Sequence, residues 1–389
     1  MKKKIGLILN FGSSAGGIYQ YALTLLDGLY LSNYQVIIFY NKKFWNKNLK
    51  PYAKKFILKE LRGPHFIDYL SKFLLISHLP LKIIRLIHKY INPSFSLIKK
   101  EKCDLLIYPY PDLLSYQLGS EFIVAIHDLM HLYEPRFPEL SGFFKKSIRE
   151  LRFKAISNNA KGILVDSYVG KNHVKLAYKN SSKNIYILPF VPPQYIQKVS
   201  FVKPPSLKDL NLPSKFMFYP AKFWAHKNHI NLIRAAHIVK KYYSDIHFVF
   251  TGNRGKEYNK IVSEIKLLKL ENTVTILEEI DLIYIPFIYK NATALIMPSF
   301  GGPTNIPPLE AIFSSCAVGV SRIYGMPEQL QDASLYFDPN SVNEIADVIK
   351  ILWNNEQKRS ELIRNGDRLK EKYTIKSHKE RLIKILDSL

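Results

Sequence analysis

Lys4-Ile5-Gly6-Leu7-Ile8-Leu9, followed by Gly12-Ser13-Ser14-Ala15-Gly16-Gly17, is the stretch whose reading decides the fold. The apolar run stands behind Met1-Lys2-Lys3-Lys4, which has the charge of a signal peptide, but it is too short for the apolar core of one. It reads instead as a first buried strand. The glycine pair Gly16-Gly17 then opens a helical run over 18–31, and a second apolar run, Gln35–Tyr40, follows. Short apolar strands separated by helical patterns indicate a parallel sheet with helices on both faces.

The pattern continues outward from there. Residues 104–108, 122–126, 162–165 and 184–188 are four more short apolar runs. The stretch 189–213 then carries Pro189, Pro192, Pro193, Pro204, Pro205 and Pro213 with little periodicity, and reads as a linker. A second alternating series begins beyond it. Strands are expected at 216–219, 246–250, 273–277, 293–297, 317–320 and 335–337, with helical patterns at 228–243, 256–268, 282–290 and 308–315. A helical tail runs from Val342 to the end, broken around 372–374. The fold class is therefore α/β, with two Rossmann-like, doubly wound parallel-sheet domains. The expected boundaries are 1–190, a linker at 191–213, 214–375, and a final helix at 376–389. Such sheets bind ligands in the crevice at the carboxyl ends of their strands. Two facing crevices make a cleft suited to a two-substrate enzyme.

Composition agrees. At 389 residues and 47% hydrophobic, the chain has enough material for two cores. Only two cysteines occur, Cys103 and Cys316, with no Cys-x-x-Cys, so neither a disulfide framework nor a zinc site is expected, which suits a reducing cytosol. No stretch reaches the ~20 apolar residues that cross a bilayer. The nearest, 66–91, is interrupted by Asp68, Lys72, Pro80, Lys82, Arg85 and Lys89.

The net charge of +24 is unevenly spread: residues 42–102 hold 15 Lys and Arg against 3 Asp and Glu, a net +12. Inside that block, 81–91 spaces its apolar residues as a helix would, with bases on the other side. A basic amphipathic helix suits an anionic membrane surface. It also suits an ordinary solvated face in a lysine-rich protein. Nucleic acid is not expected as a partner, since no recognisable binding module accompanies the charge.

Four segments carry chemistry. Gly16 and Gly17 let backbone N–H groups and a helix N-terminus approach an anion, although a tight turn asks for the same residues. In 218–229, Lys222 and Lys227 flank a loop after a strand, and two ammonium groups there would neutralise a diphosphate and stabilise it as a leaving group. They are also two lysines among many. In 297–311, a Gly/Pro-rich loop containing Thr304, Asn305, Ile306 and Pro307 leads into a helix, offering backbone donors to phosphate. Glu310, placed by this reading in that helix's first turn, is suited to ribose hydroxyls or to the helix dipole. Finally His127-Asp128 ends a strand, where the histidine faces substrate or simply lies in a surface loop.

In their order along the chain these segments resemble glycosyltransferase family 4, the retaining enzymes of GT-B fold, over essentially the whole sequence. Gly16-Gly17 is similar to that family's glycine pair, 127–131 to its active-site histidine segment, and Val165-Asp166-Ser167 to its serine segment. Residues 187–191 resemble its entry to the linker, Lys222 and Lys227 its Arg/Lys pair, and 299–310 its donor loop. The last helix, from about Lys376, resembles the one that returns to the first domain. The resemblance implies roles. Glu310 would bind the donor ribose, the Asn305–Pro307 backbone the distal phosphate, and Lys222 and Lys227 the diphosphate. His127 would touch the donor sugar, and Gly16-Gly17 would crowd the phosphate. His127, Lys227 and Glu310 would be the catalytic set, in a retaining, front-face reaction needing no metal and no cofactor beyond the nucleotide sugar.

Two departures stand out. The family's first motif glutamate falls at Gly302 here, and Asn305 stands where glycine is usual.

The function expected is therefore hexosyl transfer from a GDP-, UDP- or dTDP-linked sugar to a glycan or lipid-linked acceptor in surface polysaccharide (lipopolysaccharide or capsule) biosynthesis. The place expected is cytoplasmic, with the basic block 42–102 against the inner face of the membrane. A nucleotide-sugar epimerase on the same fold, and a sugar-nucleotide-binding protein impaired by the loss at 302, are the alternatives.

Overall fold

The computed structural model describes residues 3–12, 15–62, 66–77, 79–141, 143–179, 184–197, 206–278 and 280–389. Ser13 and Ser14 of the first glycine loop, and Pro204 and Pro205 of the proline-rich stretch, lie outside the described residues. The chain divides into two units. One comprises Met1–Leu132, Ser141–Pro189 and Ile375–Leu389, the other Tyr133–Leu140 and Phe190–Thr374.

The first unit is built on seven parallel strands: β1 (Lys4–Leu9), β2 (Gln35–Tyr40), β3 (Ile57–Glu60), β4 (Leu105–Tyr108), β5 (Phe122–Ala125), β6 (Gly162–Val165) and β7 (Ile185–Ile187). Their order is β3-β2-β1-β4-β5-β6-β7. Strands β4, β5 and β6 are buried along their whole length, and β1 and β2 everywhere but at their ends, because helices cover both sheet faces, and this is why they read as apolar runs. The chain runs outward from β1 to β3, then returns to place β4 beside β1 in the register Ile5↔Leu105. The strand order reverses there, so crossovers leave to opposite sides and open a crevice at the carboxyl ends of β1 and β4.

The second unit repeats the plan with β8 (Met217–Pro220), β9 (Phe248–Thr251), β10 (Val274–Leu277), β11 (Ala294–Met297), β12 (Ala317–Ser321) and β13 (Leu335–Phe337). The order β10-β9-β8-β11-β12-β13 puts its reversal between β8 and β11, paired as Ala294↔Met217 and Leu295↔Phe218. Two doubly wound parallel sheets are thus observed, as the alternation of short strands and helices predicted.

Three details depart from the sequence reading. Strand β3 was not foreseen; it is an edge strand whose residues are only partly covered, so it lacks an apolar run. The helix after β11 spans Ile306–Phe313 and begins two residues before the expected 308, because prolines fit a first helical turn whose N–H groups have no intrahelical partner. A short helix, Gln194–Gln197, interrupts the proline-rich stretch. The helix expected at 81–91 is observed as Leu81–Ile91 with its bases on the side away from most of its apolar residues, and packing covers only part of the apolar side. Ile84 and His88 are its buried positions, while Ile83, Leu86 and Tyr90 are exposed, as Lys82 and Lys89 are.

The last helix, Ile375–Asp387, follows a break at Glu371–Tyr373 and packs against the helix Gly17–Tyr30 within the first unit. Lys3 Nζ donates to the Leu386 carbonyl at 2.7 Å, and the Tyr34 hydroxyl donates to Asp387.

Candidate functional site

The second unit's strand reversal gathers most of the expected residues. The loop after β8 runs through Lys222 into a single 3-10 turn, Ala225–Lys227, and ends on Asn228. Asn228 has φ 61°, in the left-handed region that asparagine tolerates better than most side chains. Its side-chain amide donates to the Pro298 carbonyl at 2.9 Å and to the Pro339 carbonyl at 2.8 Å. One residue pair earlier, the His226 carbonyl accepts from Phe300 N at 2.8 Å and Ser299 Oγ at 3.3 Å. The lysine loop and the glycine-rich loop after β11 are therefore stitched into one surface. Lys222 and Lys227 are both half-buried. Lys222 Nζ stands 5.5 Å from the Trp224 ring centroid, and the Lys227 carbonyl accepts from the Tyr219 hydroxyl at 2.8 Å.

The glycine-rich loop explains the departure at 302. Gly302 has φ +92°, which a side chain disfavours, and a Cβ there would lie 2.8 Å from the Thr304 carbonyl oxygen. A side chain at 302, glutamate included, is thus disfavoured by the backbone. Asn305 then closes the loop. Its N–H donates to Gln329 Oε1 at 3.1 Å, its carbonyl accepts from Gln329 Nε2 at 2.8 Å, and its amide donates to the Gly301 carbonyl at 3.1 Å.

The helix Ile306–Phe313 starts there without a side-chain cap. Pro307 and Pro308 carry no N–H, and the Asn305 N–H is committed to Gln329. Of residues 305–308, Ile306 is thus the one that presents a backbone donor. Three expected phosphate-holding residues narrow to that group, with the buried Thr304 side chain two positions before it.

Glu310 is the fifth residue of this helix, not a first-turn residue, so it is not placed to complement the helix N-terminus. It is only 5% exposed. One carboxylate oxygen accepts from the Tyr195 hydroxyl and the other from the Tyr289 hydroxyl at 2.9 Å. Burial raises its pKa, and the two phenols pull the other way without cancelling the rise. Neither tyrosine was foreseen. Tyr195 sits in the stretch read as linker and Tyr289 on the helix Ile285–Asn291, and no local pattern marks a contact 115 residues away.

A third piece comes from far upstream. Tyr133–Leu140 clusters with the second unit although its chain neighbours belong to the first. The Glu139 carboxylate accepts from His226 N at 2.9 Å and from His226 Nδ1 at 2.7 Å. Burial opposes ionisation of Glu139, but the bonds from His226 outweigh it and hold the carboxyl below its ordinary range. Phe137 packs on Phe300 at 5.3 Å between centroids, and the Arg136 guanidinium lies 4.2 Å over the same ring. An anion is thus already seated on the backbone of the lysine loop.

Gly16, Gly17 and His127 lie in the first unit. Gly16 has φ 60° at the start of the helix Gly17–Tyr30, which has no side-chain cap and follows β1 at the strand reversal. His127 follows β5. Its Nε2–H donates to the Pro109 carbonyl, just past β4, at 2.7 Å, and its ring meets Tyr21 edge-on at 4.7 Å. Burial lowers its pKa, so it is neutral, with Nδ1 in the acceptor form. Asp128 and Ser167, from the segments resembling the family, serve as local caps. Asp128 accepts from Met130 N at 3.0 Å, and Ser167 accepts from Gly170 N at 3.0 Å. Among the described residues no group of three or more His, Cys, Asp or Glu is placed to hold a metal ion.

Residues 206–369 match the family model described as glycosyl transferases group 1. The chain is 25% identical over 228 residues to the O-antigen chain mannosyltransferase RfbU of Salmonella typhimurium. That match spans 58% of this chain and 59% of the relative's length. Two solved structures are similar over the whole chain. Sucrose-phosphate synthase of Thermosynechococcus elongatus has a TM-score of 0.74 at 17% identity, covering 100% of this chain and 99% of its own. HepE of Anabaena, solved with UDP and glucose, has a TM-score of 0.74 at 14% identity, covering 100% of each. At such identities the likeness shows the fold, which is GT-B, as the sequence suggested.

Proposed function

We propose that the protein is a retaining glycosyltransferase that moves a hexose from a nucleoside-diphosphate sugar to a glycan or lipid-linked acceptor during surface polysaccharide assembly. The observation that carries this reading is the second unit's strand reversal. There a two-lysine loop is hydrogen-bonded to a glycine-rich loop, and that loop leads into the helix bearing a buried carboxylate. The group 1 match falls on this unit, HepE was solved with UDP and glucose, and the Salmonella relative is an O-antigen mannosyltransferase.

Each group then has a task. Glu310 accepts from ribose hydroxyls, exchanging or sharing the phenol of Tyr195. Lys222, Lys227 and the Ile306 N–H balance the diphosphate. In the reaction the bond from the anomeric carbon to the diphosphate breaks, and a bond to the acceptor oxygen forms on the same face. The acceptor proton passes to the departing phosphate oxygen. Charge grows on that leaving group, so the lysines bind the transition state more tightly than the ground state. His127, neutral and fixed by Pro109, is assigned to a sugar hydroxyl rather than to proton transfer. Gly16 and Gly17 are assigned to close approach of phosphate to an uncapped helix start.

The experiment is a thermal-shift screen of the full chain against GDP-mannose, UDP-glucose, dTDP-glucose and their nucleotides, first without metal and then with magnesium. A ligand that binds only the native state raises the melting temperature by mass action. A shift with one nucleotide class, followed by transfer to an acceptor with retained anomeric configuration, is the expected result. No shift with any of them would overturn the reading. An epimerised donor formed without acceptor would replace it with an isomerase.

A further inference from the structure

Two successive helices of the first unit, Phe66–Ile76 and Leu81–Ile91, turn large apolar side chains into solvent. Tyr69 and Phe73 are 72% and 66% exposed on the first, and Leu86 and Tyr90 are 54% and 76% exposed on the second. At about 100° per residue, Lys82, Ile83, Leu86, Lys89 and Tyr90 fall in one arc of about 120° on the second helix. The buried Ile84 and His88 lie opposite that arc. The outward faces are set by the core. The buried Gln117 donates from Nε2 to the Ser71 carbonyl at 3.1 Å, and its Oε1 accepts from His88 Nε2 at 2.9 Å. One side chain thus holds both helices by their inner sides.

Charge accompanies the apolar side chains. Lys72 Nζ lies 5.4 Å from the Tyr69 ring centroid, and Lys89 Nζ lies 5.7 Å from that of Tyr90. Both lysines and Lys82 are exposed, in a block of net charge +12 over 42–102. Arg85 is not part of this face; its guanidinium packs at Gly119, where a Cβ would lie 2.5 Å from Arg85 Nε.

Exposed aromatic and aliphatic side chains interleaved with lysines match a bilayer interface. There rings sit at headgroup depth and ammonium groups reach the phosphates. No helix among the described residues is long and apolar enough to cross a membrane. We propose that these two helices form a docking face for an anionic phospholipid surface. Phe73, Leu86 and Tyr90 seat among the headgroups, and Lys72, Lys82 and Lys89 lie on lipid phosphates. This inference does not depend on the sugar-transfer reading.

The test is co-sedimentation of the full chain with vesicles of phosphatidylcholine alone and with one third phosphatidylglycerol. Binding is expected to the mixed vesicles and to be weak on the neutral ones. The combined Lys72→Gln, Lys82→Gln, Lys89→Gln variant should bind roughly 100-fold more weakly, from the attraction expected of three basic residues near the surface. The control Lys241→Gln, Lys266→Gln, Lys290→Gln on the second unit should bind as the parent does. Tyr69→Ser, Phe73→Ser, Leu86→Ser and Tyr90→Ser together should also lose binding while the melting temperature holds, since these side chains support no core. Equal loss in the control, equal binding to neutral vesicles, or no binding at all would overturn the proposal. Self-association of the parent in the absence of lipid, relieved by the serine set, would also overturn it and make a second copy the occupant.

Discussion

At the carboxyl ends of β8 and β11 the polar groups are tied to one another: Asn228 to Pro298 and Pro339, Asn305 to Gln329, Glu310 to two phenols. Residues 66–91 of the first unit show the opposite economy, with rings and aliphatic chains left in water beside lysines. Both regions stand on the same kind of doubly wound sheet. The fold fixes where a crevice opens, but the chemistry is set by what each unit leaves at its surface. The group 1 match, 206–369, lies within the tied-down unit.

That contrast is broken most severely at the lysines. Replacing Lys227 with Ala should lower turnover by roughly 10²–10³-fold if it stabilises a departing diphosphate in a water-poor site. Lys222→Ala should lower turnover less, because its side chain also rests beside Trp224. If both variants change only the KM, the lysines bind the donor without assisting departure, and Lys227 leaves the catalytic set.

Next in size is Glu310. Glu310→Ala should weaken nucleotide binding by roughly 10–100-fold, the loss expected of a hydrogen bond to a charged group. It should also lower the melting temperature, because the hydroxyls of Tyr195 and Tyr289 lose their acceptor. The pH dependence carries a sign. Burial raises the Glu310 pKa, and ribose recognition needs the ionised form, so nucleotide affinity falls as pH drops through a value above the ordinary carboxylate range. Tyr195→Phe removes one of the two bonds that oppose the rise, so the acid limb should move to still higher pH. An unmoved limb would mean that a different group controls it.

A smaller effect sharpens the reading of the donor loop. Gly302→Glu restores the residue that the resembling family carries, yet it should give no gain in activity and should destabilise the protein by roughly 1–3 kcal/mol through backbone strain. Gly302→Ala should share most of that cost, since φ +92° and the approach to the Thr304 carbonyl concern Cβ and not the carboxylate. A more active glutamate variant would show that the loop can rearrange.

Most of the architecture was readable because buried parallel strands print themselves as short apolar runs. Edge strand β3 is half-exposed and left no such print. In the site, the glycine–proline loop and the lysine pair were singled out by residue type together with the order of the segments along the chain. The partners that hold them were not, since Glu139 reaches His226 across 87 residues and Tyr195 reaches Glu310 across 115. The partial exposure of Leu81–Ile91 was not legible for a related reason. A periodic pattern shows that one side of a helix is apolar, and only packing decides whether that side is covered. Gly302 was visible as a departure, but its cause lies in a backbone angle that no spacing reveals.

The smallest effect returns to the tied-down unit, at a side chain that escapes the rule. Both ring nitrogens of His229 are buried and lack a hydrogen-bond partner among the described residues, and the ring is packed against Tyr219 at 4.8 Å and Phe223 at 4.9 Å. Burial, with smaller contributions from Lys227 and His226, lowers its pKa to about 3. An unfolded chain would bind a proton at this position near the ordinary histidine value of about 6.5. The unfolded state therefore takes up a proton that the native state refuses. The stability linked to His229 is complete above that pH and declines as pH falls toward about 3, by at most about 1.4 kcal/mol per pH unit. His378 on the last helix has the same character, with its pKa lowered to about 3, so each unit carries one such site. Replacing His229 with Phe, or with Leu if the larger ring overfills the cage, should flatten the fall of melting temperature between pH 6.5 and 5. His378→Leu should flatten it again by a similar amount. Curves that stay parallel to the parent's would place the acid sensitivity in the carboxylates instead, with Glu139 and its bonds from His226 the first to examine.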